Sequence, residues 1–227
     1  MKIINCDQRG SDWFTARLGK PTASGMAEII TATGKPRTGA GPRRYMLDLL
    51  GERLTGLPSQ AFETAAMQRG VELEQRARAW YEMATGADVQ EVGFCLSDCG
   101  RWGCSPDGLM ESRGLEIKCP LQSGFLDVAE SGAIPDDHII QVQASLWITD
   151  LPAWDYVIWT DARGLAAQII TVEPDAKIHA ALAEHVPAFC DMLDEVEARM
   201  RANGHGYKNT QQEQDNEQPV DDCDPFA

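Results

Sequence analysis

Residues 104–120, Cys-Ser-Pro-Asp-Gly-Leu-Met-Glu-Ser-Arg-Gly-Leu-Glu-Ile-Lys-Cys-Pro, concentrate the side chains of this chain that could do chemistry. Ser105-Pro106-Asp107-Gly108 reads as a turn, because Pro fixes φ and Gly accepts φ > 0. A second turn at Ser112-Arg113-Gly114 leads into Leu115-Glu116-Ile117-Lys118-Cys119, which Pro120 ends. On a strand, Leu115, Ile117 and Cys119 share one face, so Glu116 and Lys118 share the other. A hairpin across 109–114 then returns the chain so that Asp107 lies near Glu116. Two carboxylates and an ammonium meet at one end of a small sheet. Carboxylate oxygens are ligands that Mg²⁺ takes, and a lysine beside them can position or polarise an attacking water. Taken singly, each residue has an ordinary reading. Asp before Gly is a turn residue, and Glu-x-Lys is a solvated strand face with a charge pair.

The elements that must hold these residues follow from periodicity. Over 64–84, Met67, Gly70, Leu73, Ala77, Trp80, Tyr81 and Ala84 form one apolar sector of a helix. Glu74 falls inside that sector and Glu72 on the far side. A carboxylate on a core-facing stripe costs free energy unless it is paired or holds a cation. Arg78, four residues on, supplies a simple helical pair, so the residues alone leave both readings open.

Upstream, Asp12–Gly19 reads as a short helix stopped by Gly19, with Pro21 beyond. A second helix, 26–30, has Thr22 or Ser24 as cap candidates. A helix N-terminus with hydroxyls and Arg17 nearby suits a phosphate, and equally suits an ordinary capped helix. Residues 31–42 form a Gly/Pro-rich loop carrying Lys35 and Arg37, followed by a helix over 43–54 with Met46, Leu49, Leu50 and Leu54 as its stripe. Strands are expected at 88–96 and 101–104, and a loop-rich stretch at 121–136. A helix over 136–149 carries Gln141, Gln143 and Trp147. A hairpin of 154–160 and 165–172 turns at 162–164, and an amphipathic helix runs from Pro174 to about Ala202. Residues 204–227 are polar, Gln-rich and acidic, with almost nothing to build a core, and are expected to be a disordered tail after a single domain of residues 1–203.

The length of 227 residues and 43% hydrophobic content suit one domain with a substantial core. No stretch has the apolar length of a membrane span, and the N-terminus lacks a signal peptide's apolar core. Net charge is −15, unevenly spread: residues 1–56 hold nine Lys/Arg and five Asp/Glu, whereas residues 57–227 hold eleven and thirty. An acidic protein with a basic N-terminal segment can still bind a phosphate backbone locally, especially with metal ions on its carboxylates.

Pro-Asp, nine residues, then Glu-x-Lys resembles the active-site signature of the PD-(D/E)XK nuclease superfamily. The wider string Cys-Ser-Pro-Asp-Gly-Leu…Gly-Leu-Glu-Ile-Lys-Cys-Pro resembles its lambda exonuclease and YqaJ-like viral recombinase branch. Trp-x-x-x-Arg-Leu-Gly-x-x-Thr-Ala-Ser at 13–24, Lys-Pro-Arg-x-Gly at 35–39, Gly70-x-x-x-Glu74-x-x-Ala77-Arg78 and Gln-x-Gln-x-x-x-Trp at 141–147 are similar to that family in the same order. The resemblance implies an α/β fold, with a restriction-endonuclease-like core whose mixed central β-sheet is flanked by helices. It implies a metal-dependent 5′-to-3′ double-stranded DNA exonuclease leaving 3′ single-stranded overhangs for strand annealing.

Asp107, Glu116, the backbone carbonyl of Ile117 and Glu74 would hold Mg²⁺, as two ions, with Mn²⁺ able to substitute. Lys118 would orient or activate the water, and Gln143 would lie near the metal. Arg17, Ser24 and Ser105 would hold the terminal 5′ phosphate, with Arg37 a further DNA contact. The partners implied are double-stranded DNA ends, two further copies in a ring-shaped homotrimer, and a single-strand annealing recombinase. One departure stands out: Gly124 occupies a place where the family carries an arginine of the phosphate pocket. The rival readings are a PD-(D/E)XK endonuclease, which would cut closed duplex, and a non-catalytic DNA-end-binding protein, against which the presence of Asp107, Glu116 and Lys118 weighs.

The acidic ending Asp-Asp-Cys-Asp-Pro-Phe-Ala resembles the C-terminal tip of bacterial single-stranded DNA-binding proteins, a peptide that docks partners. Seven cysteines, an odd number scattered through the chain, fit reduced thiols in a cytoplasm better than a disulfide scaffold. Cys95, Cys99, Cys104 and Cys119 cluster in sequence, but no Cys-x-x-Cys pair supports a zinc or iron–sulfur site.

Overall fold

The computed structural model describes residues 1–59 and 65–207. In chain order it contains β1 (Lys2–Ile4), α1 (Ser11–Arg17), a 3-10 segment (Ala23–Glu28), α2 (Gly41–Thr55), α3 (Ala65–Thr85), β2 (Phe94–Leu96), β3 (Gly103–Cys104), β4 (Gly108–Leu109), β5 (Arg113–Lys118), α4 (Gln122–Ser131), α5 (Asp136–Thr149), β6 (Ala153–Ile158), β7 (Gln168–Val172) and α6 (Ala176–Ala202). Residues 60–64 and 208–227, which include most of the expected acidic tail and its Asp-Pro-Phe tip, lie outside the described residues.

Two sheets form, β1-β2-β3 and β4-β5-β6-β7. The second is mixed: β5 pairs antiparallel with β4 and parallel with β6, and β6 pairs antiparallel with β7. A parallel pair needs a crossover of a dozen or more residues, and α4 and α5 supply it between β5 and β6. Strands covered on both faces read as nearly continuous apolar runs, and β6 is buried from Trp154 to Ile158. At Gly114 of β5 an added Cβ would collide with the Trp154 indole, so packing demands glycine there.

Two apolar clusters result. The larger gathers the 3-10 segment, α2, α5 and α6 around Trp154, Tyr156 and Ile158. The smaller packs Leu73, Ala77 and Tyr81 of α3 on Leu115, Ile117, Val157 and Trp159. The alternation expected for β5 therefore holds: Leu115 and Ile117 face α3, and Glu116 and Lys118 take the other pleat toward α5.

Three local expectations are corrected. Residues 121–136 are not loop-rich, because Gln122–Ser131 is a helix that buries only Phe125 and Val128 and ends on left-handed Gly132. Its apolar stripe is too thin to show in the sequence, and Gly132 was the available stop signal. The strand expected over 88–96 shrinks to Phe94–Leu96 plus a single bridge from Gln90 to Leu109. The chain bends at Gly93, where an added Cβ would clash with Cys6. The helix expected over 26–30 is the 3-10 segment Ala23–Glu28, and no side chain caps it.

Candidate active site

Strand β4 is only two residues long, and the side chain of Asp107 continues its pairing. Asp107 N donates to Leu115 O at 3.1 Å, and Asp107 Oδ2 accepts from Ile117 N at 2.6 Å. The N–H and C=O of one strand residue point to the same edge, so the Ile117 carbonyl is directed to the edge that Asp107 occupies. On the opposite pleat Glu116, 3% exposed, is fixed from two directions. Its Oε1 lies 2.6 Å from Lys118 Nζ and accepts from Gln141 Nε2 at 2.7 Å. Gln141 Oε1 accepts from Lys118 Nζ at 3.1 Å and closes the triangle.

Glu74 projects from α3 into a cleft of about 330 Å³ that Asp107 also walls. Both readings of Glu74 are visible. It accepts from Arg78 Nη2 at 3.0 Å, yet Arg78 also donates from Nε to Asp107 O at 3.0 Å and reaches Glu91 at 2.8 Å. Arg78 thus ties α3 to the aspartate turn as well as pairing with Glu74.

Negative charge is crowded here. Burial, then Glu116 and Glu74, hold the Asp107 carboxyl well above the usual range, against Lys118 and the Ile117 N–H. Burial likewise raises Glu74, with Arg78 and Arg9 opposing and Glu116 and Glu91 adding. Burial pulls Lys118 down, but Glu116 and Asp107 outweigh it, so its ammonium is held above the ordinary lysine value. Among the described residues no three His, Cys, Asp or Glu side chains already surround one point as metal ligands. Glu116 is turned to Lys118 and Gln141, and Glu74 to Arg78 and Arg9. The donor set itself, carboxylates and a carbonyl, is the hard-oxygen chemistry that suits Mg²⁺.

A second cluster adjoins through Ser105. Trp13 Nε1 donates to Ser105 Oγ at 2.9 Å, and the Arg17 guanidinium lies 3.9 Å over the Trp13 ring. Burial lowers the Arg17 pKa, with Tyr45 and Glu52 opposing. The Tyr45 oxygen accepts from Thr22 N at 3.1 Å, and Thr22 Oγ1 sits 3.2 Å from the exposed Ser24 Oγ. Burial pushes the Tyr45 phenol up to about 12. Gly25 is required beneath it, since a Cβ would collide with the phenol.

Trp13 therefore joins Arg17 to Ser105, Ser24 is tied to Thr22 beside Tyr45, and Arg37 stands apart. Arg37 Nε donates to Ala27 O at 2.7 Å and Nη2 to Asp137 at 3.1 Å, which fastens the basic loop to the start of α5. Gly124 lies exposed within α4. Gln143 is a correction. It is 2% exposed, and it donates to Glu173 O at 2.8 Å and accepts from Asp175 N at 2.9 Å, fastening α5 to the start of α6. The glutamine at Glu116 and Lys118 is Gln141. His138, Gln141 and Ser145 share one helical face at i, i+3, i+7, and His138 Nδ1 meets Tyr156 Oη at 2.8 Å, so that polar face was the signal.

Burial, then Lys118, lowers His138 to about 4, so its imidazole is neutral. Of the cysteines, Cys95 and Cys104 face each other across β2 and β3 in the larger cluster. Cys119 packs on the smaller one, and Cys99 is exposed.

The YqaJ-like viral recombinase domain model matches residues 12–152. The crystal structure of an alkaline exonuclease, LHK-Exo, from Laribacter hongkongensis is 32% identical, covers 86% of this chain and 98% of its own, and superposes with a TM-score of 0.78. Its complex with dAMP gives 33% identity over the same shares and a TM-score of 0.79. A phage-related exonuclease from Haemophilus somnus 129PT, at 15% identity, covers 80% of this chain and 96% of its own with a TM-score of 0.60, which speaks to the fold alone. No curated protein sequence matches. The fold is the restriction-endonuclease-like α/β arrangement that the motif order implied, a mixed sheet flanked by helices. By domain match, identity and coverage, the chain belongs to the YqaJ-like viral recombinase family.

Proposed function

We propose that the chain is a metal-dependent exonuclease of double-stranded DNA that digests one strand from its 5′ end and leaves a 3′ single-stranded overhang. One observation carries this reading: Lys118 Nζ stands 2.6 Å from Glu116 Oε1 on the strand whose Ile117 N–H is taken by Asp107. Kinship with an alkaline exonuclease crystallised with a deoxynucleoside monophosphate supports it, since dAMP belongs to the product class of such a reaction.

Asp107, Glu116, Glu74 and the Ile117 carbonyl would hold divalent cations, Mg²⁺ as two ions, with Mn²⁺ a substitute. When bound, such ions supply Lewis-acid charge and lower the pKa of a coordinated water. Lys118 holds the attacking water in line with the phosphodiester and steadies the negative charge that develops there. Gln141 fixes the directions of both Lys118 and Glu116, as outer partners of reacting groups do. Arg17, Ser24 and Ser105 bind the terminal 5′ phosphate, and Trp13 holds Arg17 and Ser105 at a fixed separation. Arg37 is a further DNA contact once its Asp137 partner is exchanged for a phosphate. Without an arginine at Gly124, the 5′-phosphate preference rests on fewer cations.

The same reading places the protein in the cytoplasm as a ring-shaped homotrimer on DNA ends, passing its overhang to a single-strand annealing recombinase. No described helix is long and apolar enough to cross a membrane. The acidic Asp-Pro-Phe ending would dock a protein partner, and unchanged partner binding after deletion of residues 209–227 would remove that role.

Digestion of linear duplex with Mg²⁺ tests the reading, comparing 5′-phosphate, 5′-hydroxyl and closed circular substrates with Lys118→Ala as control. Stepwise loss of the phosphorylated strand, abolished in the variant, is the expected result. Cleavage of circles would make the protein an endonuclease, and no cleavage with any divalent ion would make it a binding protein.

A further inference from the structure

Arg9 occupies a backbone position that an arginine does not favour. Its φ is +67°, and the other described non-glycine residue with positive φ is Asp150 at the C-terminus of α5. Aspartate tolerates the left-handed region through local hydrogen bonds, whereas arginine meets its full steric cost. The position lies within a turn closed by Gly10 N donating to Asp7 O at 3.0 Å, where glycine is the ordinary occupant. Neighbouring contacts enforce it: Gln8 Nε2 donates to Val92 O at 2.9 Å and to Pro106 O at 2.8 Å, clamping the turn onto the Ser-Pro-Asp loop.

The strain sets a guanidinium at the cleft that Glu74 and Asp107 wall. Two arginines line this cleft, and they differ in engagement. Arg78 is 11% exposed and spends its nitrogens on Asp107 O, Glu74 and Glu91. Arg9 is 45% exposed, and its Nη2 is 3.7 Å from Glu74 Oε2, beyond hydrogen-bond length. It therefore keeps the planar fork of donors that matches a phosphate oxygen pair. Asp7, Glu74, Glu91 and Asp107 make the remaining charge of the cleft negative, so an incoming phosphodiester needs a cation at the entrance.

We propose that Arg9 is a phosphate-binding residue of the cleft, held in a left-handed turn so that its guanidinium leaves Glu74 and receives the DNA strand. This rests on the nuclease reading and adds to it a substrate contact outside the Arg17, Ser24 and Ser105 cluster.

The test uses the full chain carrying Lys118→Ala, in Mg²⁺ buffer so that DNA stays intact, with Arg9, Arg9→Gly or Arg9→Lys. Duplex affinity is measured against salt concentration, dAMP affinity at one salt, and thermal midpoint for each variant. Arg9→Gly is expected to bind duplex about tenfold more weakly, as for loss of a charged hydrogen bond. Its salt slope should fall by about one ion, while Arg9→Lys keeps the slope. Its thermal midpoint should hold or rise, because glycine relieves the left-handed backbone. Loss on duplex alone assigns Arg9 to the strand, and loss on dAMP as well assigns it to the phosphate shared by substrate and product. An unchanged affinity and slope would overturn the proposal and make Arg9 a turn residue only. Failure of the Arg9 parent to bind duplex at all, or continued cleavage with Lys118→Ala, would instead overturn the nuclease reading as drawn.

Discussion

Arg78 donates from Nε to the backbone carbonyl of Asp107 at 3.0 Å, so helix α3 grips the turn carrying the site's aspartate by its main chain. Because the same guanidinium serves Glu74 and Glu91, its loss unties two acids and a carbonyl together. Arg78→Ala is expected to lower stability by about 2–3 kcal/mol and the rate of duplex digestion at least tenfold. Arg78→Lys should not restore either, since one ammonium cannot reproduce a three-pronged fork. Urea unfolding and strand-loss kinetics measure both.

The two glutamines of α5 should separate rate from stability. Gln141 touches Glu116 and Lys118, so Gln141→Ala is expected to slow digestion by roughly 10–100-fold with little change in thermal midpoint. Gln143 joins Glu173 O and Asp175 N, so Gln143→Ala should cost about 1–2 kcal/mol with near-normal turnover of the folded fraction. The reverse pattern would return the functional role to Gln143.

Much of this site is legible in the amino-acid sequence, and what is not has physical causes. Asp107, Glu116 and Lys118 lie within twelve residues, where turn chemistry and strand alternation set their relation. Helix α5 was legible from its ends, but not which glutamine met the sheet. Its burial is nearly continuous from Ile140 to Thr149, so apolar periodicity does not separate the two glutamines, and only the spacing of His138, Gln141 and Ser145 marks the face toward the sheet. Arg78's bond to Asp107 and Trp13's to Ser105 join residues 29 and 92 positions apart, beyond any local pattern.

Metal binding has a readout independent of cleavage. Mg²⁺ should raise the thermal midpoint of the protein, by about 2.7 kcal/mol of added stability at a hundredfold excess over its dissociation constant. Asp107→Asn should abolish that shift while folding normally in its absence. An equal shift in the variant would remove Asp107 from the ligand set.

Asp155 supplies a pH prediction. It is 1% exposed on β6, and it accepts from Tyr81 Oη at 2.5 Å, Thr171 Oγ1 at 2.7 Å and Arg113 Nη1 at 2.9 Å. Burial pushes its carboxyl up, but the bonds from Tyr81, Thr171 and Arg113 outweigh it and hold it below the ordinary range. The folded pKa is thus depressed relative to the unfolded chain. Its contribution is present above the unfolded carboxylate value and is lost as pH falls through the folded one. Asp155→Asn should lower stability at pH 7 by about 2–3 kcal/mol and flatten the loss seen on acidification through and below the ordinary carboxylate range. Urea midpoints across that range check both effects.

Trp13 should govern end preference. Trp13→Phe keeps a ring under Arg17 but removes the donor to Ser105. The rate on 5′-phosphorylated ends should fall by about three- to tenfold, and the rate on 5′-hydroxyl ends should not change. Equal losses on both ends would make Trp13 a packing residue.

The position of β5 between β4 and β6 also bears on how the molecule breathes. Its Arg113–Lys118 backbone pairs along its whole length with β6, Gly114 and Leu115 pair with β4, and the Asp107 carboxylate takes the Ile117 N–H, while β1 is the outer strand of the smaller sheet. Amide hydrogens of Leu115 to Lys118 should exchange with solvent only when the whole domain opens, and those of β1 through local fraying. Glu116 and Lys118 are thereby built into the slowest-opening part of the molecule, and β1 into one of the first parts to open.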